Sequence, residues 1–190
     1  MLRIFFVTLV VLSSTFLLHA QEKTNDAIAR QIKSLQSDRS ITISFDQAGN
    51  SSKIMAVATN FSDNEADRAG LQAMNFAMGF FYPGTTLKVS PENIHFTFWV
   101  LSKKPRFAEN HKFAADLDGR QIDLGDARYA AKPRENLEYL NFELSRNQLV
   151  SIAGAKSVIF RLGPYSFTAT PDQRRLVNSV VRIADISITN

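Results

Sequence analysis

Apolar and polar residues alternate one for one through much of this chain, the pattern of strands that bury one face. Ile41, Ile43 and Phe45 share one face of a first strand, and turn formers over 46–52 end it. Residues 54–60 resume as a second strand, so the pair predicts a hairpin. Over 93–101, Ile94, Phe96, Phe98 and Val100 take one face and His95, Thr97, Trp99 and Leu101 the other. Both faces are largely apolar, which predicts a central strand covered by a second sheet on one side and by helices or loops on the other. Asp118-Gly119 tolerates the positive φ angles of a type I′ turn. A two-residue loop there pairs Leu117 with Arg120, Ala115 with Ile122 and Phe113 with Leu124. Leu140, Phe142 and Leu144 point inward from a strand over 137–144, and a last hairpin at Gly163-Pro164 sets Phe160 opposite Phe167.

Elsewhere the period lengthens to that of a helix. Ile28, Ile32 and Leu35 form a short amphipathic stripe over 24–37. Ser62-x-x-Glu65 is a capping box, and Ala66, Ala69, Ala73 and Ala77 suit a helix. Continued to Tyr82, that helix would be apolar nearly all round, so a helical turn followed by a strand from about Leu71 to the Pro83-Gly84 turn is predicted. Ser145-x-x-Gln148 caps a short helix with Leu149, Ile152 and Ala153 inward, ending near Gly154. Thr170-Pro171-Asp172-Gln173 combines N-cap, N1 proline, first-turn acid and capping-box partner. The helix that follows turns Leu176, Val177, Val180, Val181 and Ala184 inward. Together these elements predict an α+β fold, predominantly antiparallel β, built as a two-sheet sandwich with a short helix near 145–155 and a C-terminal helix near 171–184.

The first twenty residues follow another logic. Arg3 precedes an uncharged apolar run over 4–18, and Leu18-His19-Ala20 supplies an aliphatic residue at −3 and a small one at −1. This is the pattern of a signal peptide cleaved after Ala20, and the run is shorter than the ~20 residues that span a bilayer. The expected organisation is a leader over 1–20 and a single soluble β-rich domain over 21–190, periplasmic or secreted, with no membrane span after cleavage. With no cysteine the chain gains nothing from an oxidising compartment and carries no lipoprotein signal. Hydrophobic residues make up 45% of the chain and phenylalanine alone fifteen positions, so an unaided core is feasible. The formal charge is +4, one unit of it from Arg3. Basic and acidic residues are interspersed, and export removes the usual nucleic-acid target.

Chemistry-bearing motifs are sparse. His95 shares a strand face with Thr97 and Trp99, which allows a pocket with an aromatic wall and an imidazole. The plainer reading is a hydrogen-bonded histidine under a loop, and no G-x-S-x-G accompanies it. His95 and His111 lie on separate elements and there is no cysteine, so no compact zinc spacing exists and no metal or cofactor is expected. Asp116, Asp118, Asp123 and Asp126 crowd a hairpin but lack the spacing of a calcium loop. Glu135, Glu138 and Glu143 offer carboxylates of the kind glycoside hydrolysis uses. Two proline-marked basic stretches stand out: Lys103, Lys104 and Arg106 after the 93–101 strand, and Arg128, Tyr129, Lys132 and Arg134 further on. As loops at one end of a sandwich they would grip an anionic polymer or a partner's acidic patch, with Arg for bidentate contacts and Tyr for stacking. Their other reading is that of solvated loops whose charges serve solubility.

Residues 113–125, the Asn136-Leu137-Glu138-Tyr139 run and residues 152–163 resemble patterns in uncharacterised exported bacterial β-rich domains. The resemblance covers about half of the chain beyond the leader, carries no catalytic residue, and implies an envelope protein. The leading functional expectation is a non-enzymatic binding domain for another envelope component, an anionic one or a protein partner. The alternatives are a structural or assembly subunit, and a hydrolase acting on envelope polymer through carboxylates near His95 and Trp99.

Overall fold

Two alternating patterns of different length give two antiparallel sheets. The computed structural model describes residues 41–58, 61 and 63–185. The helix expected over 24–37 and the leader with its cleavage point lie outside them. The elements run β1 Ile41–Asp46, β2 Ser51–Val57, α1 Asp63–Arg68, β3 Ala73–Pro83, β4 Asn93–Leu101, β5 Lys112–Leu117, β6 Arg120–Asp126, β7 Arg128–Lys132, β8 Leu137–Ser145, α2 Arg146–Gly154, β9 Val158–Leu162, β10 Tyr165–Thr168 and α3 Pro171–Asp185. The larger sheet has the order β1-β2-β3-β4-β8-β7 and the smaller β10-β9-β5-β6. The predicted α+β fold, mostly antiparallel with one helix near the C-terminus, is the observed one. Among the described residues no helix is long and apolar enough to cross a membrane.

Phenylalanine fills the space between the sheets. Phe76 and Phe96 stack at 4.9 Å, Phe113 meets Phe142 at 4.6 Å across the sheets, and Phe61 closes on Phe167 at 5.3 Å. Such tilted and offset pairs add about 0.5–1.5 kcal/mol each beyond the area they bury. Both hairpin turns form as expected. Asp118 and Gly119 take φ of 52° and 86°, and Phe167 pairs with Phe160 across the Gly163-Pro164 turn. Two of the three expected caps form: Thr170 N–H donates to Gln173 Oε1 at 2.9 Å, Gln173 N–H returns to Thr170 Oγ1 at 3.2 Å, and Ser145 and Gln148 do the same for α2, while the cap expected at Ser62 lies outside the described residues.

Several expectations are corrected. β2 begins at Ser51 rather than 54, because the Asp46 carboxylate accepts from Ala48 N–H and Asn50 turns left-handed, closing the reversal early. In the β5–β6 hairpin Leu117 and Ala115 pair as predicted, but Phe113 faces Gly125 rather than Leu124, since a bulge between Phe113 and Ala114 absorbs one residue of β6. The stretch 128–132 is no loop. It is edge strand β7, paired with β8 and ended by Pro133, a residue that suits a sheet margin. In α3 Ile183 is buried and Val181 only half so.

The last correction concerns β4. It is central, but among the described residues just one of its faces is covered. Ile94, Phe96, Phe98 and Val100 are buried, whereas His95 is exposed and Thr97, Trp99 and Leu101 are half-buried. The small sheet covers the inner face: Phe96 and Phe98 of β4 touch Phe113 of β5 and Phe160 of β9. α3 touches β2 and β3 and α2 touches β4 and β8, strands whose large buried side chains, such as Ile54, Phe76, Phe80 and Phe142, point to that same inner side. Among the described residues no element covers the opposite face of the larger sheet, and its apolar members are shielded by their cross-strand neighbours.

Candidate binding face

Register places the open face in rows. Lys53 of β2 pairs with Phe81 of β3. The next row runs Met55, Gly79, His95, Glu143, and the one after it Val57, Ala77, Thr97, Asn141, Arg128. Then come Asn75, Trp99, Tyr139 and Ala130, followed by Ala73, Leu101, Leu137 and Lys132. Gly79 has a steric reason: a Cβ built there would lie 2.1 Å from the carbonyl oxygen of Ile54, so β2 and β3 pass too closely for any side chain. With nothing at 79 and only a methyl at 77, the middle of the face sinks into a depression of about 220 Å³. Phe81, 55% exposed, and His95 wall it at one end, with ring centroids 5.7 Å apart and edge to face. Lys53 Nζ lies 5.6 Å from the Phe81 centroid, a cation–π contact at an exposed site. At the other end Thr97 Oγ1 donates to Asn141 Oδ1 at 2.9 Å, and Asn141 Nδ2 donates to the Arg128 carbonyl at 3.3 Å.

The basic end is held by a buried carboxylate. Glu138 extends the inward series Leu140, Phe142, Leu144 by one step and is 2% exposed. Its carboxylate accepts Arg106 N–H at 3.0 and 2.9 Å, Phe107 N–H at 3.0 Å and the Tyr129 hydroxyl at 3.0 Å. The Ser102 hydroxyl lies 3.1 Å from it and 2.7 Å from the Lys104 carbonyl. A buried charge is tolerable when its lone pairs are met by donors in this way. Its cost is visible in the partner. Partial burial, then the hydrogen bond to Glu138 and the charge of that carboxylate, push the Tyr129 phenol up to about 12.

This clasp fixes the loop after β4 by its backbone and leaves the side chains of Lys103, Lys104 and Arg106 exposed. Leu101 pairs with Leu137, and Leu137 with Lys132, so that loop and the 3-10 turn Pro133–Glu135 leave the same end of the sheet. Ser102 N–H donates to the Asn136 carbonyl at 3.0 Å, which joins them. Lys103, Lys104, Arg106, Lys132 and Arg134 therefore all belong to this one end of the sheet. No family model, curated protein or solved structure matches this chain.

The other singled-out residues lie elsewhere. Arg128 projects from β7 beside Asn141, level with the depression rather than the basic end. Tyr129 points inward to Glu138 and is not a stacking surface for a ligand. His95 and Trp99 stand on the open face with Thr97 between them, and His95 is not under a loop. Asp118 accepts from Lys156 and Ser157 N–H, Asp123 from Gly125 N–H, and Asp116 faces Arg161 at 3.4 Å, so three of the four aspartates of the hairpin are used by the fold. Glu138, with both oxygens occupied, is placed to bind backbone rather than move a proton. Lys53, Phe81 and Asn141 were not singled out by sequence, because only strand order brings β2, β3 and β8 onto one face beside β4. What the face offers chemically is stacking surface, hydrogen-bonding amide and hydroxyl groups, and positive charge.

Proposed function

We propose that this chain is an exported, non-enzymatic binding domain that reversibly holds an anionic component of the bacterial envelope on the open face and basic end of its larger sheet. The leader pattern with cleavage after Ala20 supports export to the periplasm or beyond. One observation carries the binding reading: the uncovered face and the adjoining end gather Lys53, Lys103, Lys104, Arg106, Arg128, Lys132 and Arg134 with few carboxylates to answer them. Among the described residues their ion pairs are Lys132 with Glu135 at 3.4 Å and Arg128 with Glu143 at 3.9 Å, both exposed and so weak. A partner's negative charge can compete with them.

The test is the melting temperature of the purified exported protein at low and high salt against envelope polysaccharides, phosphatidylglycerol vesicles and peptidoglycan fragments. A ligand at ~100 times its dissociation constant adds ~2.7 kcal/mol of stability. A shift that fades with salt supports the reading and names the ligand class. No shift with any of them, together with a defined oligomer in sedimentation, favours an assembly subunit instead. N-terminal sequencing of the exported form checks the cleavage point.

A further inference from the structure

We infer that the depression over Gly79 and Ala77 is a subsite for one carboxylate-bearing sugar ring of an acidic polysaccharide that runs along the open face. This rests on the binding reading above and names its ligand. At about 220 Å³ the depression falls short of the ~300 Å³ where pockets for drug-sized ligands begin, and suits a single ring. It is not closed at its ends. From Phe81 to Ala73 the face continues for about 26 Å at ~3.3 Å per residue, past Trp99 and Tyr139 to Lys132. Lys132 Nζ lies 5.9 Å from the Tyr139 centroid, so the pairing of a cation with an aromatic ring seen at Lys53 and Phe81 recurs further along. A track longer than one ring, with a ring-sized depression and repeated aromatic–cation pairs, fits a chain of charged rings.

The chemistry selects a sugar over other anions. The C–H face of a pyranose packs on the exposed ring of Phe81 by dispersion. The Thr97 hydroxyl and the Asn141 amide are suited to ring hydroxyls. Lys53, with no carboxylate within ion-pair distance among the described residues, supplies one positive charge for one carboxylate. A peptide cannot add as a strand here, since β2, β3, β4 and β8 are all paired on both edges. The depression is lined by Lys53, His95, Thr97 and Asn141 as well as by apolar side chains, which does not suit an acyl chain. Among the described residues Glu143, opposite His95, is the acid beside the subsite, and it lies 3.9 Å from Arg128 in an exposed pair.

The experiment uses the purified exported protein and the fluorescence of Trp99, the single tryptophan, which stands on this face. Tetragalacturonate is titrated beside neutral maltotetraose, polyphosphate of equal charge and phosphatidylglycerol vesicles. Binding of tetragalacturonate at least about tenfold tighter than maltotetraose and polyphosphate is expected. Phe81→Ala, Phe81→Leu and Lys53→Ala should each weaken it about tenfold with the melting temperature unchanged, and Glu143→Gln should tighten it. Phe81→Leu keeps the strand apolar, so its loss of binding isolates the ring. If polyphosphate or vesicles bind as well as tetragalacturonate and the Phe81 and Lys53 variants change nothing, the sugar subsite is wrong while the anion-binding function stands. If no anion binds at all, both are wrong.

Discussion

The Tyr129 hydroxyl donates to Oε1 of Glu138 across 3.0 Å, and through that contact edge strand β7 is tied to the carboxylate that holds the loop after β4. The tie is reinforced on its other side. The Tyr129 ring stacks on His111 at 5.8 Å, and His111 Nδ1 lies 3.3 Å from the Phe107 carbonyl, so both ends of the loop meet the same phenol. An edge strand of five residues would otherwise be held by one neighbour only.

Tyr129 gives a signature at high pH. Its phenol is held neutral up to about 12, against 10.0 for a free side chain. The folded state therefore keeps a proton that the unfolded state has lost between those values. Stability from this group is full below pH 10 and declines as pH rises toward about 12. Ultraviolet titration of tyrosinate should show a late step that Tyr129→Phe removes.

Glu138→Gln keeps the shape but aims an amide N–H₂ at backbone donors. Loss of charge-assisted hydrogen bonds in a buried site should cost about 2–3 kcal/mol in urea unfolding. Amide exchange at Arg106 and Phe107 should rise more than in the sheet core, which a uniform loss of stability would not produce.

Gly119 and Gly163 are both left-handed, at φ 86° and 55°, yet their surroundings differ. A Cβ at 119 meets nothing within 4 Å, whereas one at 163 would lie 2.4 Å from the Asn110 carbonyl oxygen. Gly119→Ala should cost about 1 kcal/mol for the backbone alone. Gly163→Ala should cost at least about 1 kcal/mol more because of the clash, as read from denaturation midpoints.

Thr170→Ala removes the acceptor for Gln173 N–H at the start of α3. A loss of about 1 kcal/mol is expected, and restoring the cap with Ser should recover most of it.

The sequence discloses what is local and hides what is not. Asp118-Gly119, Gly163-Pro164 and the Thr170 cap each declare themselves within a few residues, and all three form as read. The bulge in β6 is invisible because Leu124 stays buried whichever residue it opposes. Strand β7 is missed because Arg128, Ala130 and Lys132 face solvent, leaving Tyr129 and Ala131 as its whole inward pattern. Glu138 interrupts nothing in the alternation of β8; a charged residue at an inward position is the signal, readable only once that face is known to be buried. The basic stretches at 103–106 and 132–134 were legible as chemistry, and their meeting follows from the pairing of β4, β8 and β7. The depression depends on Gly79 of β3 lying between Met55 and His95, and no stretch of sequence spells out that strand order.

Glu138 grips the loop after β4 through the N–H groups of Arg106 and Phe107, which every residue but proline carries. The identities of the side chains at 103, 104 and 106 are thereby uncoupled from the fold. Descendants of this sequence can exchange the lysines at 103 and 104 or the arginine at 106 for serine, glutamate or tyrosine and keep the same loop path. Selection for a new partner can then act on three exposed positions at little risk to folding, a division of labour that a loop anchored by its own side chains would not permit.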